Sequence, residues 1–285
     1  MGVAPSYAVL VLVQAALVAM PARRRQLVSS RTLGLTIPAA AMVVGVSVAR
    51  MHGGASLLTA LATVATPVLA AGAGWVRGWR LPVLPAVLVA PLYVLAWLRP
   101  GTLLGQASGV ALIAGACLTA TGIVAALAPR AWLTTGLVLL VVLDVALVWG
   151  NRQVTPEMHA LSAATPPTLG HLGRPLPSLQ QVDFGAVTMG WLDLAAPALL
   201  GLLVTRRGRA AAVTGLTAGA WGLLLVVISP IAATPPVLAG LAAGRQLRRS
   251  PPRLTPDRLA LSSHNRTLAP LRDVPRGGPT SATSS

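Results

Sequence analysis

Nine apolar runs divide this chain, and each is long enough, or nearly so, to cross a hydrocarbon layer. At about 1.5 Å rise per residue, a core of roughly 30 Å needs about 20 apolar residues, and fewer suffice inside a bundle. The runs cover approximately residues 4–21, 34–51, 55–75, 81–98, 102–128, 131–150, 184–204, 210–229 and 231–245. With 54% hydrophobic and only 10% charged residues, no single soluble core could hide them. The sequence therefore predicts an all-α, polytopic membrane helix bundle of about nine transmembrane helices. Residues 1–249 form the transmembrane domain, 151–183 an outer loop broken by five prolines, and 250–285 a disordered basic cytoplasmic tail rich in Pro, Ser, Thr and Arg.

Arginine placement orients the bundle, because short cytoplasmic loops retain positive charge. All 22 basic residues are arginine. An outer N-terminus puts Arg23, Arg24, Arg25, Arg31, Arg77, Arg80, Arg130, Arg206, Arg207, Arg209, Arg245, Arg248, Arg249 and the five tail arginines inside. Only Arg50, Arg99, Arg152 and Arg174 then lie outside. The expected location is a plasma membrane of bacterial type, N-terminus outside and C-terminus cytoplasmic. The first run carries its charges after it rather than before, as a retained span does. Trp75, Trp79, Trp97, Trp132 and Trp149 fall near span ends as interfacial anchors, whereas Trp191 and Trp221 are expected to pack inside. The net charge of +16 is scattered between spans rather than arranged with aromatics in a stripe. It reads as topology and contact with anionic lipid, not nucleic-acid binding.

Two aspartates stand against this background. Asp144 and Asp193 are the only acids inside the apolar runs, on the sixth and seventh. A carboxylate near the bilayer midplane costs at least about 2.5 to 3.5 kcal/mol on insertion scales, which makes each a candidate functional group. Counted from the expected helix ends, Asp144 lies roughly 9 Å and Asp193 roughly 14 Å below the outer surface. At those depths the carboxyls could meet and share one proton, as aspartic hydrolysis requires: one takes a proton from water while the other polarises a carbonyl.

Pro197 has no N–H to donate to the carbonyl of Asp193 four residues earlier, so that carbonyl is left free and the helix loosened. Gly190, one turn before Asp193, would let another helix approach. The ninth run opens Thr234-Pro235-Pro236-Val237-Leu238, where two prolines suit a first helical turn. Such a loop either lines the cavity holding the aspartates or makes a tight turn at the surface. His52, His159, His171 and His264 show no ligand spacing, the single Cys117 excludes an internal disulfide, and no cofactor or metal is expected.

The order of these motifs resembles the presenilin and signal peptide peptidase group of GxGD intramembrane aspartyl proteases. Leu143-Asp144, trailed by Val148-Trp149-Gly150, is similar to that family's sixth-span motif. Gly190-Trp191-Leu192-Asp193 with Pro197 stands at its Gly-x-Gly-Asp, and Pro236-Val237-Leu238 at its Pro-Ala-Leu. Leu143 replaces the family's Tyr, Leu192 the Gly before the second Asp, and Val237 the Ala. The resemblance covers roughly residues 130–245 and implies an Asp144/Asp193 catalytic dyad, with Gly190, Leu192, Pro197, Pro236, Val237 and Leu238 shaping a substrate cleft. It further implies single-pass membrane proteins or signal peptides as substrates, cut within their membrane helices. An outward N-terminus is that of the signal peptide peptidase branch, opposite to presenilin. Two other functions fit paired membrane carboxylates: a proton- or cation-coupled transporter, or a catalytically inactive presenilin-like protein.

Overall fold

The computed structural model describes residues 2–21, 30–51, 53–150, 163–168, 174–223, 232 and 234–245. All of them fall within one compact unit, Met1–Gln246. The arginines at 23–25, the tail from 250, Ser229, Pro230 and most of the loop 151–183 lie outside the described residues.

Nine α-helices appear among the described residues: α1 (Val3–Ala19), α2 (Arg31–Arg50), α3 (Gly54–Arg77), α4 (Leu84–Leu98), α5 (Leu103–Leu127), α6 (Arg130–Val145), α7 (Leu192–Leu203), α8 (Arg207–Gly222) and α9 (Pro235–Gly244). The helix α6 runs on into a π-helical turn, Ala146–Gly150. Three stretches are long and apolar enough to cross a membrane: Gly54–Arg77, Leu103–Leu127 and Arg130–Val148. The helices α1, α4, α7 and α9 are apolar but shorter.

The helix α3 shows why such a protein suits lipid. Leu57, Leu61, Val64 and Val68 form one exposed stripe, while Thr59, Thr63, Thr66, Ala70 and Ala73 are buried. Its large apolar side chains point outward and its small and hydroxyl residues inward, the reverse of a helix on a soluble protein. Inside, the Thr59 and Thr63 hydroxyls return to the helix and donate to the carbonyls of Ala55 and Thr59.

The structure is mostly helical, as expected of an all-α membrane protein, with one interruption between α6 and α7. Residues 184–190 were expected to begin the seventh span, yet β1 (Gln181–Phe184) and β2 (Val187–Gly190) form an antiparallel hairpin there. Gly185 takes a positive φ of 60° in the turn, a conformation glycine adopts without cost. Val182, Phe184 and Met189 are buried against α1 and α5, and Asp183 accepts a 2.7 Å bond across the strands from Thr188. Two helix side chains hold the turn: Gln106 Oε1 accepts from the Gly185 N–H and Ser6 Oγ from that of Ala186.

The short helix α7 is the centre. Every residue from Leu194 to Leu203 is buried, and the helix packs on α1, α5, α6, α8 and α9. Leu194, Ala195 and Ala198 belong to one apolar cluster with α1, α5 and the hairpin, while Ala196, Leu199 and Leu200 belong to a second with α6, α8 and α9. A Cβ on Gly201 would lie 2.8 Å from the Val18 carbonyl oxygen, so α1 can approach only a glycine. Gly240 and Gly244 serve α9 in the same way, a Cβ on either falling within 2.5 Å of Thr214 or Val204.

Arg77, expected to mark an inner loop, is instead fully buried at the end of α3. Its Nε donates to Leu118 O, and one terminal nitrogen donates to Thr121 Oγ1 and Ala198 O. The planar fork reaches two helices at once, which a solvated loop residue would not do. Trp191, expected inside, is 40% exposed because it sits at the turn between β2 and α7. Trp221 is half-buried as expected, its indole N–H donating to Ala232 O.

Candidate active site

Leu133, Leu137, Leu140 and Val141 form the buried stripe of α6, and Asp144 is the next residue on that stripe. The spacing of three and four aims the carboxyl into the bundle rather than toward lipid. Asp144 is only 7% exposed and ends the regular helix one residue before its last, just ahead of the π turn. Its Oδ2 accepts two bonds from one residue, the Thr234 hydroxyl at 2.6 Å and the Thr234 N–H at 3.3 Å.

A pair of prolines leaves the Thr234 hydroxyl available for this bond. A threonine at a helix N-cap ordinarily accepts from the N–H two or three residues on. Here Pro235 and Pro236 occupy the first two helical positions, Pro236 has no N–H, and the N–H of Val237 bonds the Thr234 carbonyl. The hydroxyl makes no capping bond and turns to the acid on α6.

Asp193 reaches the site from the other side. It was expected deep within a long helix, but α7 starts at Leu192, so Asp193 stands in its first turn, directly after the hairpin. Its Oδ2 accepts from the Gly190 N–H at 3.0 Å. Gly190 is thus a strand residue offering its backbone, not a notch for a neighbouring helix. A Cβ there would meet only Asp193 Oδ2, at an ordinary 3.6 Å. The carbonyl of Asp193, which Pro197 leaves without an intrahelical donor, accepts from Gln14 Nε2 at 3.1 Å.

The two acids stand on helices α6 and α7, which pack on each other. Asp144 is buried and Asp193 half-buried. Leu192 is half-buried against the α6 cluster, Pro197 is buried within α7, Pro236 and Val237 are buried in the first turn of α9, and Leu238 is half-buried. The helix α9 packs on both α6 and α7. From its opening segment it is Thr234, ahead of the prolines, that bonds the acid.

Four residues of this arrangement escaped the sequence reading as site residues: Thr234, Gln14, Gln106 and Ser6. A common signal marks them. Each is a neutral polar group beside or inside an apolar run, where an unbonded amide or hydroxyl costs several kcal/mol on a scale of about 2 to 7. Such groups need partners as acids do. Comparison of the chain with protein-family models, with curated proteins and with solved structures gives no match.

Proposed function

We propose that this chain is an intramembrane aspartyl protease of the presenilin and signal peptide peptidase kind, with nine spans, an outer N-terminus and a cytoplasmic C-terminus. The observation that carries the reading is that Asp144, bonded by Thr234 of α9, and Asp193 stand on the mutually packed helices α6 and α7 of an apolar bundle. Two carboxyls so placed suit a hydrolysis in which neither metal nor cofactor takes part.

Asp144 is the base. Two donors on one oxygen favour the ionised carboxylate, which takes a proton from water as that water's oxygen bonds to the scissile carbonyl carbon. Asp193, accepting a single backbone N–H, is the acid and gives its proton to the carbonyl oxygen. Collapse of the tetrahedral diol then breaks the C–N bond. The amine leaves with a proton from one carboxyl, and the diol returns its own to the other. A substrate helix holds its amides in its own helical bonds, which must open before the cut, so substrates with weak helix formers there are favoured.

The test is cleavage of a single-pass reporter helix by the purified full chain in liposomes. Asp144→Asn and Asp193→Asn are each expected to abolish cleavage by at least about 10³-fold, with unchanged melting and expression. Retained turnover in either variant refutes the dyad. Proton or cation flux with no cleavage by the native chain would assign the same carboxylates to transport.

A further inference from the structure

At the opposite end of the three helices that carry Asp144, Asp193 and Thr234, a cavity of about 270 Å³ opens between them. Arg130 and Thr134 line it from α6, Leu203 and Thr205 from the end of α7, and Leu241 and Arg245 from α9. Along the helices, Arg130 is about 21 Å from Asp144, Leu203 about 15 Å from Asp193 and Arg245 about 16 Å from Thr234. The pocket is therefore remote from the acids, though built by the same elements.

Its chemistry is anionic-ligand chemistry. Two arginines and two threonines line one space, and no carboxylate of the described residues lines it; the Thr134 and Thr205 hydroxyls donate to the carbonyls of Arg130 and Gly244. The described acids, Asp144, Asp183 and Asp193, are the dyad and a hairpin residue whose carboxyl is bonded to Thr188. Arg130 is also the first residue of α6, whose opening N–H groups have no partner within the helix. One nitrogen of Arg130 donates to the Leu203 carbonyl, which fixes its fork against the end of α7. Arg245 caps α9 and is exposed, so it reaches the mouth. The volume exceeds what a bare phosphate fills and accommodates one with a short polyol attached. Guanidinium groups match the geometry of phosphate oxygens.

We infer that this pocket binds a phosphate group, carried by an anionic lipid headgroup or free in solution, and that it ties the ends of α6, α7 and α9 together. The inference concerns binding and stands whether or not the dyad hydrolyses peptide bonds.

The full chain, purified into nanodiscs of pure phosphatidylcholine, is melted with and without inorganic phosphate, then compared with nanodiscs containing phosphatidylglycerol. Either addition is expected to raise the melting temperature by a few degrees. Arg245→Gln should weaken the response about tenfold in apparent affinity. Arg80→Gln, which removes an equal charge from an exposed residue outside the lining, should leave the response intact. A response to phosphatidylglycerol alone that Arg245→Gln weakens assigns a lipid headgroup. A response to inorganic phosphate alone that Arg245→Gln weakens assigns a soluble phosphate. Equal responses in the native chain and in Arg245→Gln, an equal loss in Arg80→Gln, or no response to either addition overturns the site.

Discussion

The two ends of α7 are held by opposite means. At its C-terminal half, three arginines from three other places in the chain donate to its carbonyls: Arg77 to Ala198, Arg207 to Gly201 and Arg130 to Leu203. The last turn of any helix leaves carbonyls without donors and carries partial negative charge, and cations satisfy both needs. At its N-terminal end no arginine among the described residues donates a bond. Asp193 is held there by neutral amides, one from the backbone of Gly190 and one from the side chain of Gln14. Charge thus fixes the end of the helix remote from Asp193. At the other end, a nearby arginine would pair with Asp193 and keep it ionised, denying the proposed dyad its proton. Neutral donors position the acid without that penalty.

Substitutions at the two ends should separate these modes. The largest effect is expected from Arg77→Ala, which leaves a void and strips donors from the buried carbonyls of Leu118 and Ala198. A loss of about 3 kcal/mol is expected, read as a lower melting temperature in detergent. A stability like the native chain's would mean that charge does not hold this end. Next is Gly201→Ala, whose new methyl meets backbone oxygens of Leu17 and Val18 under 3 Å away. Forcing α1 from α7 should cost about 2 kcal/mol.

A smaller effect tests the neutral end. Gln14→Leu should cost about 1 kcal/mol in the native chain and almost nothing alongside Pro197→Ala, where the new N–H of residue 197 takes over the Asp193 carbonyl. Additive losses in that cycle would show that Gln14 acts elsewhere. Smallest is Gly190→Ala, which keeps the N–H and meets no close contact. It should shift stability by less than about 0.5 kcal/mol and leave reporter cleavage within twofold. A large loss would return Gly190 to the role of a close-packing notch.

How much of this was legible in the sequence depends on which forces write themselves locally. The helices of the first six runs were read within a few residues, because a long apolar stretch punctuated by Pro, Gly or Arg leaves little other choice. The hairpin was not read, although Val182 and Phe184, then Val187 and Met189, do alternate about a Gly-Ala turn. Its residues are as apolar as a span, and the need for some twenty of them drew the helix start back to 184. The position of Asp193 went wrong with it. The pairing of Pro197 with the Asp193 carbonyl was readable, since both sit in one helix. The donor Gln14, 179 residues away, depended on a packing no local pattern records. Thr234 was visible only as the residue ahead of two prolines, and its bond to Asp144 was hidden because that partner lies 90 residues upstream. Arg77 misled because a basic residue at a helix end has the same signature whether solvated or enclosed.

The π turn at Ala146–Gly150 bears on how tolerant this chain is of length change. Such a turn is what an α-helix makes of one surplus residue, absorbed in a single wide coil. Dropping any one of the five would restore ordinary winding and turn the helix through nearly the same total angle, while the acid just upstream keeps its bearing. The end of α6 can thus lose a codon's worth of chain without disturbing the carboxylate, a freedom few interior helices possess.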